Sequence, residues 1–170
     1  MTTMRAMVIH RTGTPLELVA SEVPIPLRVN SEVLIRVLAA GINPIDAKTR
    51  SGGGVAQAIG AYPAVLGRDF SGVVVESPFE AHALQPGMEV FGMTSFPRSA
   101  GSYAEYVAVS SLSVTRKPAS LSHVEAAGVP LAALTAWGMV VDVAKAHDGQ
   151  RMLIHAGAGG VGHFAVQFAR

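Results

Sequence analysis

The chain has 170 residues, of which 49% are hydrophobic and 15% charged, and its formal net charge is +1. This composition predicts a folded chain with one good core or two small ones, and it excludes intrinsic disorder. The absence of cysteine excludes a disulfide framework and any zinc site with thiolate ligands. The small net charge, without clustered Lys and Arg, argues against nucleic acid as the main partner.

No segment of the sequence is typical of a signal peptide or a membrane span. Residues 1–10 lack an apolar run of signal-peptide length. The longest uncharged run has about sixteen residues, between Glu125 and Asp142, and it is short for a span of roughly 20 residues. We therefore expect a cytoplasmic protein without a membrane partner.

Short strand patterns follow one another through about the first 110 residues. The segment NPIDAKTRSGGG, 43–54, begins with an Asn-Pro turn signal and predicts a short helix before three glycines. Many short strands with Pro and Gly between them predict a small β-barrel. The strand patterns are rich in β-branched or alternating residues and lie at 6–10, 31–43, 68–77, the end of 86–93, and 101–110, and a looser alternation occupies 16–24.

The pattern changes to helices after about residue 120. Ser122 and Glu125 have the spacing of a capping box ahead of an apolar helix. Pro130 is at a plausible first position of a second helix, within 130–146. A turn and a buried strand are predicted within 149–157, and a helix follows from the glycines to the end of the chain.

The segment between that predicted strand and helix has the glycine spacing G-x-G-x-x-G. The first glycine permits a tight turn, the second lets the backbone approach a phosphate, and the third lets the helix pack closely. Backbone N–H groups at the start of a helix favour an anion, so we expect dinucleotide binding here, with a ligand-free tight turn as the alternative. The predicted cofactor-binding segment comprises Gly157, Ala158, Gly159, Gly160, Val161 and Gly162.

The chain resembles the quinone oxidoreductase branch of the medium-chain dehydrogenase/reductase superfamily. The resemblance is carried by motifs that occur in the same order over nearly the whole chain: AGINPIDAKTRSG, PAVLGRDFSGVVVE, GMEVFGM, GSYAEYVAV, AAGVPLAALTAW and GQRMLIHAGAGGVGHFAVQFAR.

The resemblance implies a mostly β GroES-like barrel domain, residues 1–120, leading into the first βα unit of a Rossmann domain, residues 121–170. It also implies an enzyme that transfers hydride from NADPH, with NADH as the alternative, to a small quinone or α,β-unsaturated carbonyl. Family members have roughly twice this length, and the full-length enzyme is compatible with a homodimer. Since a lone βα unit leaves its strand uncovered, we expect an incomplete chain or a compensating association.

The resemblance also implies a site without metal. Relatives with a catalytic zinc carry a Cys where this chain has INPID, and a His-Glu pair where it has Arg68 and Asp69. We interpret Arg68 and Asp69 as a structural ion pair or as partners of the backbone. The prediction is a zinc-independent reductase, in which the cofactor carries the hydride and the protein orients and polarises the substrate.

Five further residues are candidates for the site by their match to the family. Asn43 is expected to donate to a carbonyl or ribose hydroxyl, or else to cap a turn, and Asp46 to orient its neighbours or cap the helix. Lys48 stands where many relatives carry a tyrosine, and as a cation it would bind the ribose or polarise the substrate, or else be solvated. Tyr62 is the candidate proton donor. Thr135 is expected near the nicotinamide, or bonded back to its own helix.

Two other functions remain open from the sequence. An enoyl-thioester reductase shares the architecture and would prefer long-chain substrates. A non-catalytic GroES-like interaction module would carry a vestigial nucleotide site.

Overall fold

The structure is a computed structural model that describes residues 2–96 and 101–170. The chain divides into two compact units, Met1–Gly128 and Val129–Arg170. The first unit is built mainly from strands and the second from helices. The expected mostly β architecture is therefore confirmed, while the assignment of residues 1–120 and 121–170 to two domains stays a prediction.

The first unit contains two antiparallel sheets. The strands run β2-β1-β4 in the smaller sheet and β7-β3-β5-β6-β8 in the larger one. The two shortest strands, β4 and β8, had no counterpart among the predicted strands. The bounds are β1 Thr3–Ile9, β2 Val19–Pro24, β3 Glu32–Ala40, β4 Ala64–Val65, β5 Asp69–Glu76, β6 Glu89–Met93, β7 Tyr106–Ser110 and β8 Val114–Arg116.

The core of the first unit lies against the larger sheet. On β3, Val33, Leu34 and Ile35 are all buried, whereas the charged Arg36 that follows them is exposed. Burial of such aliphatic side chains stabilises the fold by about 1.5–3 kcal/mol each. The buried members of this core are Val33, Ile35, Phe70, Val74, Leu84, Val90, Val107 and Val109.

The predicted strand at 101–110 is divided between the two sheets. Its first half pairs with β1, since the Met7 N–H donates to the Tyr103 carbonyl at 2.8 Å. Its second half is β7, which pairs with β3 from Glu32 opposite Ser110 to Arg36 opposite Tyr106. The segment therefore crosses from one sheet to the other and places Tyr103 beside β1.

Helices form where the capping signals predict them. Helix α1, Pro44–Arg50, and helix α2, His123–Ala127, both belong to the first unit. At α2 the predicted capping box is present: the Ser122 N–H donates to Glu125 at 2.8 Å, and the Glu125 N–H donates to the Ser122 hydroxyl at 3.2 Å. Single 3₁₀ turns occupy Pro15–Glu17, Ala56–Ala58 and Ser111–Ser113.

The second unit is helical. Helix α3, Pro130–Trp137, begins at the predicted proline and continues into a π-helical turn, Gly138–Val143; helix α4 is Gly160–Phe168. Ala136, Val140 and Ala165 form its small buried core. Trp137 meets Phe168 edge to face, with ring centroids 5.4 Å apart.

The prediction of a buried strand within 149–157 is wrong. Residues 151–154 are assigned to no strand, and Leu153 is 83% exposed. A parallel strand is stable only when neighbouring strands pair with it and helices cover both faces. Among the described residues no strand pairs with this segment, so Met152 and Leu153 are exposed while Ile154 packs against the small core of the second unit.

No helix in the described part of the chain combines the length and the apolar character that crossing a bilayer requires.

Candidate functional site

The first part of the candidate site is the start of α1, where the Asn-Pro-Ile-Asp sequence builds a local cap. Pro44 occupies the first helical position, whose N–H has no intrahelical partner in any case. Two residues later the Asp46 Oδ2 accepts the Asn43 N–H at 3.0 Å. Asp46 is buried and Asn43 half-buried. Of the two alternatives for Asp46, capping the helix is the one this bond satisfies.

Tyr103 is a member of the site that the sequence analysis missed. Its hydroxyl donates to the same Asp46 Oδ2 at 3.0 Å. The two residues are far apart in sequence, and no local spacing links them. Burial raises the pKa of Asp46, and the hydrogen bonds from Asn43 and Tyr103 oppose that shift. Burial, followed by the nearby Asp46 charge, raises the pKa of Tyr103 well above its ordinary value.

Asp69 binds the side chain of Asn43. The Asn43 Nδ2 donates to the Asp69 Oδ2 at 3.1 Å, and Asp69 is almost completely buried. The neighbouring Arg68 donates to the Ser95 carbonyl at 3.2 Å, and its guanidinium lies 5.1 Å from the centre of the Phe96 ring. Burial lowers the pKa of Arg68. The bond to Ser95 agrees with the interpretation of Arg68 as a partner of the backbone.

Asp46 and Tyr103 form part of the wall of an open cavity of about 710 Å³ in the first unit. A smaller cavity of about 120 Å³ shares Asp46 and adds Thr49 and Arg68. Most of the residues that line the large cavity are apolar, and its polar members are Arg5, Asp46, Arg50, Ser102, Tyr103 and Glu105. The apolar lining includes Met7, Leu18, Val37, Leu38, Ile42 and Leu66.

The two other catalytic candidates are accessible to solvent. Lys48 lies on the exposed face of α1, two residues after Asp46. Tyr62 is 45% exposed in the loop before β4. Both side chains could therefore meet a ligand, and their catalytic roles stay predictions.

The glycine turn leads into α4 in the second unit, as expected. A side chain at Gly162 would place its Cβ 2.0 Å from the Ala156 carbonyl oxygen, so only glycine lets the helix pack on the turn. At Gly160, the first residue of α4, an added Cβ would meet open space. The tight turn differs from expectation, because the left-handed residue is Ala156, with φ of 54°, rather than a glycine.

The start of α4 fits a diphosphate. The first N–H groups of a helix have no intrahelical partners, and the N-cap is Gly159, which has no side chain to satisfy them. Thr135 lies on α3, where its hydroxyl donates to the Leu131 carbonyl at 2.7 Å. That bond realises the alternative in which the threonine binds its own helix, and a contact of this exposed residue with cofactor stays a prediction.

Among residues 2–96 and 101–170, no three His, Cys, Asp or Glu side chains lie together in a way that could hold a metal ion. Independence of zinc stays a prediction.

Comparison with known proteins identifies the family. The model of the alcohol dehydrogenase GroES-like domain matches residues 29–119. The mitochondrial NAD(P)H oxidoreductase RTN4IP1 of Danio rerio is 39% identical over 156 residues, which cover 82% of this chain and 40% of that protein. The chain belongs to the quinone oxidoreductase-like branch of the medium-chain dehydrogenase/reductase superfamily. It spans less than half the length of the curated relatives that it matches.

Other members of the superfamily are similar over most of the chain. The 2-methylene-furan-3-one reductase of Solanum lycopersicum is 39% identical over 155 residues, covering 88% of this chain and 39% of that protein. The structure of the quinone oxidoreductase from Coxiella burnetii has a TM-score of 0.91 and 40% identity, covering 99% of this chain and 53% of that one. CurK enoyl reductase has a TM-score of 0.87 and 28% identity, covering 99% and 51%.

Proposed function

We propose that this chain is part of a zinc-independent reductase that transfers hydride from NADPH to a quinone, or to a C=C bond conjugated to a carbonyl. The observation that carries the proposal is the glycine turn. The turn packs closely against α4 at Gly162, and there is open space beside Gly160 at the start of that helix. Relatives named as an NAD(P)H oxidoreductase and as a quinone oxidoreductase support it. The 2-methylene-furan-3-one reductase supports an alkene conjugated to a ketone as substrate.

In this proposal the backbone N–H groups at the start of α4 bind the diphosphate of the cofactor. The bound cofactor supplies the hydride. The Asn43 amide donates to the carbonyl of the substrate or to a ribose hydroxyl, while Asp46 stays ionised and holds the start of α1. Lys48 stabilises the negative charge that develops on the substrate oxygen, and Tyr62 supplies the proton.

Binding of NADPH and NADH to the 170-residue chain tests the cofactor assignment. At a ligand concentration one hundred times Kd, binding stabilises the folded state by about 2.7 kcal/mol, which raises the unfolding temperature. We expect Gly159→Ala to reduce that rise because its Cβ would lie 3.2 Å from the Ala156 carbonyl oxygen and so crowd the glycine turn at the N-cap of α4. Gly60→Ala is the control, since nothing lies within 4 Å of its added Cβ. No rise with either cofactor would favour a non-catalytic interaction module or a nucleotide site that these 170 residues leave incomplete.

Oxidation of NADPH, followed by its absorbance, tests the reaction with a benzoquinone and with a simple enone. We expect Asn43→Ala and Lys48→Ala each to lower the rate by about 10–100-fold. Arg36→Ala, which removes an exposed cation from β3, is the control for Lys48. Rates in Asn43→Ala and Lys48→Ala that match those of Arg36→Ala would remove both residues from the mechanism.

An enoyl-thioester reductase is the second candidate, because the fold of CurK enoyl reductase matches 99% of this chain. A large, mostly apolar cavity beside Asp46 also suits a long acyl chain. A long-chain enoyl thioester that is reduced faster than the benzoquinone would favour this candidate, and the opposite order would favour the quinone.

The compartment and the assembly are also proposals. The cytoplasmic location is expected from the sequence pattern and the homodimer from the family resemblance, whereas the similar Danio rerio protein is named as mitochondrial. Cell fractionation with an antibody to this chain separates the two locations, and light scattering gives the assembly.

A further inference from the structure

We propose that Tyr103 is a positioning residue, which holds the backbone of Asn43 in place through the carboxylate of Asp46 while Asp69 orients the Asn43 side-chain amide. The inference rests on the proposed function in that Asn43 is taken to contact the cofactor or the substrate. It adds a residue from a distant part of the chain to that site and gives it a specific role.

Asn43 is bonded at two points to two different carboxylates. Its backbone N–H donates to Asp46 Oδ2 at 3.0 Å, and its Nδ2 donates to Asp69 Oδ2 at 3.1 Å. An ionised carboxylate only accepts hydrogen bonds, so the amide nitrogen must face Asp69 and the amide oxygen must face away. A flip of the amide would set oxygen against oxygen. The arrangement therefore leaves the Oδ1 and one N–H of Asn43 in a defined direction.

Tyr103 acts on Asn43 through an oxygen atom that both residues share. The Tyr103 hydroxyl and the Asn43 N–H converge on the Oδ2 of Asp46, each at 3.0 Å. Tyr103 is itself fixed, because its carbonyl accepts the Met7 N–H at 2.8 Å. Its ring packs on Gly67, where an added Cβ would lie 2.4 Å from a ring carbon. The backbone bond and the ring contact of Tyr103 therefore hold its hydroxyl in place beside Asp46.

The bond from Tyr103 also favours the ionised form of Asp46, which accepts the Asn43 N–H more strongly than the protonated form does. Burial raises the pKa of Asp46, while its bonds from Asn43 and Tyr103 and the charge of Arg68 oppose that shift. The charge of Asp69, like that of Asp46, raises the pKa of Tyr103. Without the hydroxyl, Asp46 would take up a proton at higher pH. A protonated carboxyl accepts more weakly, so the Asn43 backbone would be held less firmly.

Nuclear magnetic resonance of the 170-residue chain without ligand tests the positioning directly. We expect the side-chain NH₂ protons of Asn43 to exchange slowly with each other and with water in the wild-type chain. In Tyr103→Phe that exchange should be several-fold faster, and the pH at which the Asn43 signals change should rise. Tyr106→Phe, three residues along the same segment, is the matched control and should leave the Asn43 signals unchanged.

Unchanged Asn43 signals in a folded Tyr103→Phe chain would overturn the proposal. If that variant does not fold, a chain made with 3,5-difluorotyrosine tests the same bond without deleting it, because the more acidic phenol is a stronger donor. Slower exchange of the Asn43 NH₂ protons would then support the proposal, and no change would overturn it.

A double-mutant cycle with NADPH as the probe tests whether Tyr103 acts through Asn43. We expect Tyr103→Phe to weaken NADPH binding by about 5–10-fold, and to have no further effect when Asn43 is already alanine. Independent effects, with the two losses multiplying, would overturn the proposal. A wild-type chain that binds no NADPH would instead contradict the proposed function, while the NH₂ exchange measurement would still decide the positioning role.

Discussion

The Ser71 hydroxyl oxygen and the Nδ1 of His123 lie 2.7 Å apart, and their contact joins β5 to the first residue of α2. Ser71 is fully buried, and its hydroxyl also lies 3.0 Å from the Val90 carbonyl. The hydroxyl and the imidazole Nδ1 can each donate or accept, so the pair forms a hydrogen bond in either tautomer of His123. The Nε2 faces Glu89 at 3.4 Å. One buried hydroxyl thus anchors the helix to the sheet.

Removing that hydroxyl should loosen α2. We expect Ser71→Ala to lower the free energy of unfolding by about 1–3 kcal/mol, because the Nδ1 of the half-buried His123 loses its hydrogen-bond partner. Denaturant unfolding measures the change, and amide exchange in α2 locates it. Ser120→Ala, on an exposed serine before the helix, is the control and should stay within about 0.5 kcal/mol of the wild type. Equal losses in the two variants would contradict the anchoring role.

The close packing of Tyr103 on Gly67 makes that glycine irreplaceable. Gly67 has φ of +93°, and an added Cβ would lie 2.4 Å from both the Ser102 hydroxyl and the Tyr103 ring. We expect Gly67→Ala to cost about 3 kcal/mol or more, of which backbone strain is about 1–2 kcal/mol and overpacking the rest.

Gly87→Ala separates those two contributions in the measurement. Gly87 has nearly the same φ, +88°, but nothing lies within 4 Å of its added Cβ. Its alanine variant should therefore show the backbone strain alone, about 1–2 kcal/mol in denaturant unfolding. Similar losses at both glycines would mean that Tyr103 is free to move away.

The raised pKa of Asp46 predicts a pH dependence of stability. A carboxyl group whose pKa is raised on folding binds its proton more tightly in the folded state. The stability that Asp46 contributes is fully present below about pH 3.8, the ordinary pKa of aspartate. It is lost as the pH rises through the higher pKa of Asp46 in the folded state. We expect the stability of the wild-type chain relative to Asp46→Asn to fall over that interval.

Denaturant unfolding of both chains between about pH 3.5 and 7 measures that difference, and the carboxyl carbon resonance of Asp46 gives its titration directly. The Tyr103→Phe chain should show the fall at higher pH, because one bond that opposes the effect of burial is gone. A difference in stability between the wild-type and Asp46→Asn chains that does not change with pH would contradict the prediction.

Local patterns predicted much of the fold. The β-branched residues of 31–43, among them Val33 and Ile35, predicted β3, and the Ser122-to-Glu125 spacing predicted the start of α2. These features depend on neighbours within a few residues, which the sequence displays directly. The strand predicted within 149–157 depends instead on partner strands, and without them Leu153 is exposed. Apolar character alone does not report whether a partner exists.

The candidate site divides in the same way. Asn43 and Asp46 were predicted by the match of their segment to the family, and the cap that joins them is local, because the two residues are separated by about one helical turn. The contacts of Asp46 with Tyr103 and of Asn43 with Asp69 join residues that the sheets bring together, 57 and 26 positions apart. No spacing rule links such pairs, so the support for the predicted residues became visible only in the structure.

The glycine turn gives a last prediction, which separates its packing from its proposed ligand. In Gly162→Ala the Cβ would lie 2.0 Å from the Ala156 carbonyl oxygen and 2.9 Å from the Gly157 Cα, so the turn must open. We expect a loss of about 2 kcal/mol or more, measured by denaturant unfolding and by amide exchange in α4. NADPH binding should be lost with it.

Gly160→Ala changes the same helix where there is space. It occupies the first position of α4, nothing lies within 4 Å of its added Cβ, and alanine is favoured over glycine in a helix by roughly 1 kcal/mol. Stability should therefore stay level or rise by a few tenths to 1 kcal/mol. If a diphosphate binds at this helix start, the methyl group should still weaken NADPH binding several-fold. Gly160→Ala with both stability and NADPH affinity at wild-type values would mean that the diphosphate lies elsewhere.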